Sequence, residues 1–357
     1  MHMRWVKILI PSLLIATNAT ADGVTPVLEA ETLNPLPGAV TNNAITSVNA
    51  AGRQYVVSFN GLGQGRTYGD TLAVTYVLDS VSGQWSVSEP VPGGVGRLAS
   101  TAVSVGELAY VFGGYTVAAN GSEVSTPWLH SFNPVTRSFM ELQPIPVPVD
   151  DAVAVTYANR FIYLISGWHD LGNVNLVQRY DTQTNQWQQA TPIPGRALFG
   201  HAGGIVGNKV VYCDGVAVQS HMARSRVYVA SNECFLGIID KQDSRRIDWR
   251  KLNPHPGLPR YRMASVGIPE LNSLLFIGGS ENPYNYNGIG YNGEPSEPAV
   301  NGLILDLDTL KWRVLPQNNP PTMDHRGLAI LDDRFLTIGG MLGNQQVTRR
   351  VIAYRIQ

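Results

Sequence analysis

Arginine stands near the start of a recurring apolar segment four times in this chain, at Arg97, Arg196, Arg260 and Arg326. Guanidiniums that converge on one point favour a carboxylate or phosphate, because the planar fork can bond two oxygens at once. Arginines so placed could instead bond carbonyls of neighbouring chain segments, and the sequence leaves both uses open. A second concentration of chemistry lies between residues 280 and 301. There Tyr284, Tyr286 and Tyr291 alternate with Asn285, Asn287 and Asn292, and Glu281 stands at the head. Flat apolar faces beside amide donors and acceptors are what a sugar requires; the alternative is a lid packed on itself. Segments this long without a regular element are usually functional or disordered. Trp168, His169-Asp170, Asp214, His221, Arg224 and His325 are further candidates. The seven histidines show no paired metal-ligand spacing. No nucleophile elbow and no phosphate-cradling glycine loop is found, so neither a metal nor a cofactor is expected.

The elements that must position these residues repeat six times. An apolar run ends in a glycine pair or a close variant. A loop follows, then a second apolar run ending in Asp or Asn, then an aromatic residue. The clearest copies are Ala109-Tyr-Val-Phe-Gly113-Gly114, Leu274-Leu-Phe-Ile-Gly278-Gly279 and Phe335-Leu-Thr-Ile-Gly339-Gly340. Degenerate copies end at Asn60-Gly61, Ser166-Gly167 and Asp214-Gly215, and the closing aromatics are Trp85, Phe139, Trp187, Trp249 and Trp312. A period of about 50 residues with four strands per unit is the signature of a β-propeller. The sixth copy stops after three strands at residue 356. The stretch Thr25-Pro-Val-Leu-Glu-Ala-Glu-Thr-Leu33 precedes the first copy and is expected to supply the fourth, removing a free sheet edge.

Strands running alternately up and down put the loops between second and third strands on one end of the propeller, with the connections between repeats. That end carries nearly all the candidates. The connections bring Arg97, Asp150, Asp151, Arg196, Arg260, Arg262, His325 and Arg326; the loops bring Tyr115, Trp168, Asp170, Asp214, Arg224, Glu281 and the three tyrosines. The fourth-repeat loop (216–233) and the fifth-repeat loop (280–301) are enlarged.

The chain has 357 residues, 36 of them glycine and 23 proline, and only 15% are charged. This suits many short strands and turns. A net charge of −1 gives no support to nucleic-acid or anionic-membrane binding. Residues 1–21 read as a signal peptide: Arg4 and Lys7, an apolar stretch from 8 to 16, then Ala19-Thr20-Ala21. No later stretch is long enough to span a membrane. The protein is therefore expected to be exported, periplasmic or secreted, with a single propeller domain over 22–357. Cys213 and Cys234 flank one hairpin of the fourth repeat. They are either a disulfide of an exported protein or two small buried hydrophobes.

The repeats resemble those of the kelch propellers, over nearly the whole chain after residue 24. The fold implied is all-β: a six-bladed kelch-type propeller whose last blade is closed by the N-terminal strand. Within that family, the insertion after Gly278-Gly279 and the copy ending Leu-Thr-Ile-Gly339-Gly340 are similar to the exported bacterial sialic acid mutarotases. The resemblance implies a small acidic carbohydrate in an axial pocket, bound by Arg97, Arg196, Arg224, Arg260, Arg326, His325, Trp168, Tyr284, Tyr286 and Tyr291. The sequence departs from that family where its glutamate follows the fourth-repeat glycine; Val216 stands there. The acid–base role would then pass to Glu281 or Asp214. The other readings are a non-catalytic propeller binding a glycan or a protein and, more remotely, a copper radical oxidase, for which no ligand set is recognisable.

Overall fold

A computed structural model describes residues 26–219 and 226–357. The candidate signal peptide, His221 and Arg224 lie outside the described residues. Six four-stranded antiparallel sheets form the blades of a propeller. Blade 1 is Ala44–Ala50, Arg53–Leu62, Thr71–Asp79 and Gln84–Ser88; blade 2 is Thr101–Val105, Leu108–Phe112, Leu129–Asn133 and Ser138–Glu141. Blade 3 is Val153–Tyr157, Phe161–Ile165, Val177–Asp181 and Gln186–Ala190; blade 4 is Ala202–Val206, Lys209–Cys213, Cys234–Ile239 and Ile247–Leu252. Blade 5 is Ala264–Ile268, Ser273–Ile277, Gly302–Asp306 and Trp312–Leu315. Blade 6 takes Ala329–Leu331, Arg334–Ile338 and Val351–Ile356 from the end of the chain and Leu28–Thr32 from its beginning, as expected. Among the described residues there are no α-helices.

One blade cannot cover both of its faces, so the core lies between blades. Six buried apolar clusters occupy the six interfaces. The closing aromatics bind each blade to the one before it. The indole N–H of Trp187 donates to Gln143 O (2.9 Å), that of Trp249 to Thr191 O (3.3 Å), that of Trp312 to Asn253 O (3.0 Å) and that of Trp85 to Asn34 O (3.1 Å). Each acceptor lies just beyond the outermost strand of the preceding blade. Phe139 has no N–H and packs on Phe132, ring centroids 4.7 Å apart. Blade 6 has no aromatic there. Its outer strand uses the main chain instead, Leu28 N–H donating to Pro316 O at 2.9 Å.

A second set of links closes around the axis. Just before each innermost strand one residue turns left-handed: Asn42, Ala99, Asp151, Gly200, Arg262 and Asp324, with φ between 51° and 71°. Asp151 N–H donates to Ala99 O, Gly200 N–H to Asp151 O, Arg262 N–H to Gly200 O, His325 N–H to Arg262 O and Asn42 N–H to Asp324 O. The remaining link, Ala99 N–H to the Asn42 side-chain oxygen, completes the circle. Only glycine fits at 200, where a Cβ would lie 1.9 Å from the Tyr261 ring.

Hairpins that the sequence reading did not place rise from the loops of blades 2, 3 and 4: Tyr115–Val117 with Glu123–Ser125, Trp168–His169 with Gly172–Asn173, and Val216–Gln219 with Val227–Ala230. Cys213 and Cys234 face each other across the second and third strands of blade 4 and form a disulfide, which settles the choice left open by the sequence.

Leu28 is buried in the interface of blades 5 and 6. Leu28→Ala is expected to lower the unfolding free energy by about 2–5 kcal/mol, read from urea denaturation. An unchanged midpoint would show that the N-terminal strand does not hold the ring.

Candidate functional site

The left-handed positions carry the charged centre of the molecule. Arg262 is buried and bonds Asp151 through one nitrogen (2.5 Å) and Asp324 through another (2.9 Å). Arg326 reaches Asp151 at 2.8 Å and Asp324 at 3.6 Å. The Thr41 hydroxyl donates to Asp324 at 2.6 Å and the Tyr261 hydroxyl to Asp151 at 3.2 Å. The Arg262 guanidinium also lies 4.6 Å from the Tyr261 ring and 5.4 Å from the Tyr284 ring. Burial alone would raise the Asp151 carboxyl, but Arg262 and Arg326 outweigh it and hold it below its ordinary value.

Two cavities meet at this cluster. One, of ≈ 300 Å³, runs between the innermost strands, with Ile45, Val103, Val153, Ile205 and Val266 in its wall. Its charged lining residues are Asp151 and Arg326, already paired with each other. The other, of ≈ 250 Å³, opens on the end that bears the hairpins and is the candidate site. Arg262 and Asp151 form part of its lining; the aromatic part is Tyr115, Trp168, Phe199, Tyr228, Tyr286 and Tyr291; Glu123, Asp150, Asp170 and Arg226 add charge. Tyr228 from the blade 4 hairpin stacks on Tyr291 from the blade 5 insertion, centroids 4.1 Å apart at 18°. Arg226 lies 4.9 Å from the Trp168 ring. Concave, with six aromatic side chains set among seven charged or amide ones, this cavity is a candidate small-molecule site of mainly polar character.

Asp150 and Asp151 are sequence neighbours with opposite surroundings. Asp150 is 4% exposed and takes part in no ion pair among the described residues. It accepts one hydrogen bond from the Ser125 hydroxyl (2.7 Å), while Ser125 N–H donates to Asp170 (2.7 Å). Burial, and then the charge of Asp151, push the Asp150 carboxyl well above its ordinary value.

The structure brings Trp168, Tyr286 and Tyr291 to the cavity, while Arg326 lines the other cavity and meets this one only through its pairing with Asp151. Tyr284 is fully buried below, its hydroxyl 3.5 Å from Asp324. The expected arginine ring does not form. Arg97 is fully buried, donates to Gly113 O (2.9 Å) and lies 5.2 Å from the Trp128 ring. Arg260 donates to Asn301 O (2.6 Å). Both tie strand ends of their own blade, and Arg196 is exposed. His325 is buried against the Thr322 hydroxyl (2.8 Å), its pKa pulled down to about 4 by burial. Glu281 is exposed and is not among the residues that line the cavity. Asp214 is fully buried, accepting from His255 Nε2 and from Arg260 N–H, each at 2.7 Å. Neither residue proposed for acid–base work therefore reaches the cavity. Asp150, Asp151, Asp170 and Arg262, which the sequence places at this end of the propeller, join the site; Glu123, Tyr228 and Asp324 were not singled out from sequence. Position relative to the left-handed residue was the missing signal. Arg97 and Arg260 precede it by two residues, Arg196 by four, Arg326 follows by two, and Arg262 occupies it.

The fold is that of a six-bladed β-propeller. No family model matches the chain. It is similar to Kelch domain-containing protein 3 of Rattus norvegicus, 27% identical over 212 residues, 55% of this chain and 51% of that protein. Kelch-like protein terF of Aspergillus terreus is 26% identical over 193 residues, 52% of this chain and 37% of that protein. The chain thus spans about half the length, or less, of these curated relatives. The solved structure of YjhT superposes with a TM-score of 0.71, covering 91% of this chain and 99% of that one at 16% identity. At that identity the likeness is one of fold.

The two aspartates should respond oppositely to neutralisation. Asp151, held below the ordinary ~3.9, contributes stability that is present above that pH and lost as pH falls through its folded value. The cost of Asp150 is absent below ~3.9 and grows as pH rises toward its folded value. At pH 7, Asp151→Asn should lose about 3–5 kcal/mol, the cost of breaking a buried ion pair. Asp150→Asn should leave the melting temperature unchanged or higher. Thermal scans of both variants at pH 4 and 7 test this; equal destabilisation would refute the assignment.

Proposed function

We propose that this protein is an exported propeller that binds a small carbohydrate in the ≈ 250 Å³ cavity at the hairpin-bearing end of its axis. The observation that carries this reading is the pairing of aromatic rings with hydrogen-bonding groups in one cavity. Trp168 and the stacked pair Tyr228–Tyr291 bring aromatic surface to the C–H face of a sugar ring, and Asp150, Asp170, Asn285 and Arg226 offer partners for its hydroxyls. Blades 2 to 5 all contribute to the lining. A pocket of this size takes a monosaccharide or smaller, since drug-sized ligands occupy about 300–1,000 Å³.

Turnover of that sugar is the second reading, resting on the resemblance to the sialic acid mutarotases. Mutarotation needs one group to protonate the ring oxygen while another accepts the anomeric proton, both within hydrogen-bond reach. Val216, at the family's acid position, is fully buried and apolar, and Glu281 and Asp214 stand apart from the cavity. Binding without turnover is therefore the reading favoured here. An acidic sugar, expected from the arginines, would meet Arg262 and Arg326 already engaged by Asp151 and Asp324.

Calorimetric titration with neutral, acidic and amino monosaccharides should find at least one that binds. Trp168→Ala and Tyr228→Ala should each weaken it by about 1.5–3 kcal/mol, the worth of burying an apolar side chain. Anomer exchange followed by NMR in the same samples should match buffer; a clear acceleration would establish turnover instead. If no monosaccharide binds, or both variants bind as the parent does, the carbohydrate reading fails.

A further inference from the structure

Taking a carbohydrate in the axial cavity as given, we infer that the ligand carries a protonated amine, received by Asp150 with Glu123 and Asp170 at the rim. The class of ligand is thus an amino sugar with an unacylated nitrogen.

The charges that face the cavity carry the argument. Its lining includes four carboxylates, Glu123, Asp150, Asp151 and Asp170, and two guanidiniums, Arg226 and Arg262. Arg262 is committed to Asp151 and Asp324. Arg226 is spread over the Trp168 ring. What remains is an excess of carboxyl groups over guanidiniums beside aromatic rings. Aromatic faces attract cations through their quadrupole, more strongly when the cation is taken out of water.

Asp150 is the independent pointer to a ligand. It lines the cavity yet is 4% exposed. Its one hydrogen bond comes from a hydroxyl, and no ion pair among the described residues includes it. A buried carboxylate without a cation is costly, and a protonated amine in the cavity would remove that cost. Asp151, one residue on, shows the contrast, with two arginines of its own. A metal ion is a poorer fit, because no group of three or more His, Cys, Asp or Glu side chains among the described residues is placed to hold one.

The test is calorimetry at pH 7 with five probes: glucosamine, glucose, N-acetylglucosamine, N-acetylneuraminate and tetramethylammonium. Glucosamine should bind about 10-fold or more tighter than glucose and N-acetylglucosamine, the worth of one hydrogen bond to a charged group. Asp150→Asn should erase that margin without lowering the melting temperature, while Glu123→Gln reduces it by less. Glucose binding as well as glucosamine would overturn the inference and leave the carbohydrate reading standing. Tetramethylammonium binding while every sugar fails would uphold the cation site and overturn the carbohydrate reading. Tightest binding of N-acetylneuraminate would overturn the inference, and silence of all five probes would overturn both.

Discussion

The ring of left-handed residues around the axis is the constraint on which the rest depends. A left-handed turn costs a non-glycine residue roughly 1–2 kcal/mol, and five of the six positions are not glycine. Each turn lets one blade donate a main-chain N–H to its neighbour, so the cost is offset by hydrogen bonds that close the circle. The outer ends are held separately, by the indole N–H groups and by the main chain of Leu28. Each blade is thus fixed at both its inner and its outer edge, and the apolar clusters fill the wedge between.

The same turn decides the chemistry. Because the chain reverses at Asp151 (φ 51°), adjacent carboxylates face different surroundings. Asp151 enters the axial ion cluster and Asp150 the cavity. Arg262 and Asp324 occupy the equivalent positions two and three blades further on, so three of the four members of the cluster sit on the ring itself. Buried ion pairs seldom add net stability over apolar packing, and removing one partner is strongly destabilising. The cluster therefore acts as a fixed partition between two cavities, one whose only charged lining groups are the paired Asp151 and Arg326 and one lined by aromatic and charged side chains.

Much of the fold was legible because the repeat speaks through residue types with narrow uses. Gly339 ends a strand where a Cβ would lie 2.2 Å from Val40 O, so the glycine marks the approach of the next blade. Where glycine is missing, Ser166 and Asp214 hold the same left-handed turn and use their side chains on the neighbouring chain, Ser166 Oγ donating to Leu198 O at 2.8 Å and Asp214 accepting from Arg260 N–H. The missing strand and its N-terminal replacement followed from counting. The site was less legible. The arginines were grouped by nearness to a strand start, and a shift of two residues separates a guanidinium that ties its own blade from one on the axis. The hairpins bearing Glu123 and Tyr228 are too short to show alternation, and their partners come from other blades.

Recurrence and function part company here for a physical reason. Arg97 and Arg260 occupy the same position in blades 2 and 5 and perform the same task, bonding carbonyls at the ends of their own strands. A residue that returns at one phase answers a demand that every blade makes, and that demand is structural. A ligand breaks the sixfold symmetry, so the groups that meet it must differ from blade to blade. The residues equivalent to Asp150 in the ring, one before each left-handed turn, are Thr41, Leu98, Phe199, Tyr261 and Met323. Among those six, Asp150 alone brings a carboxylate. Phe199 and Tyr261 supply aromatic surface, and Leu98 and Met323 supply apolar packing. The singular member of a repeated set, buried and in no ion pair among the described residues, is where the chain departs from what its fold requires.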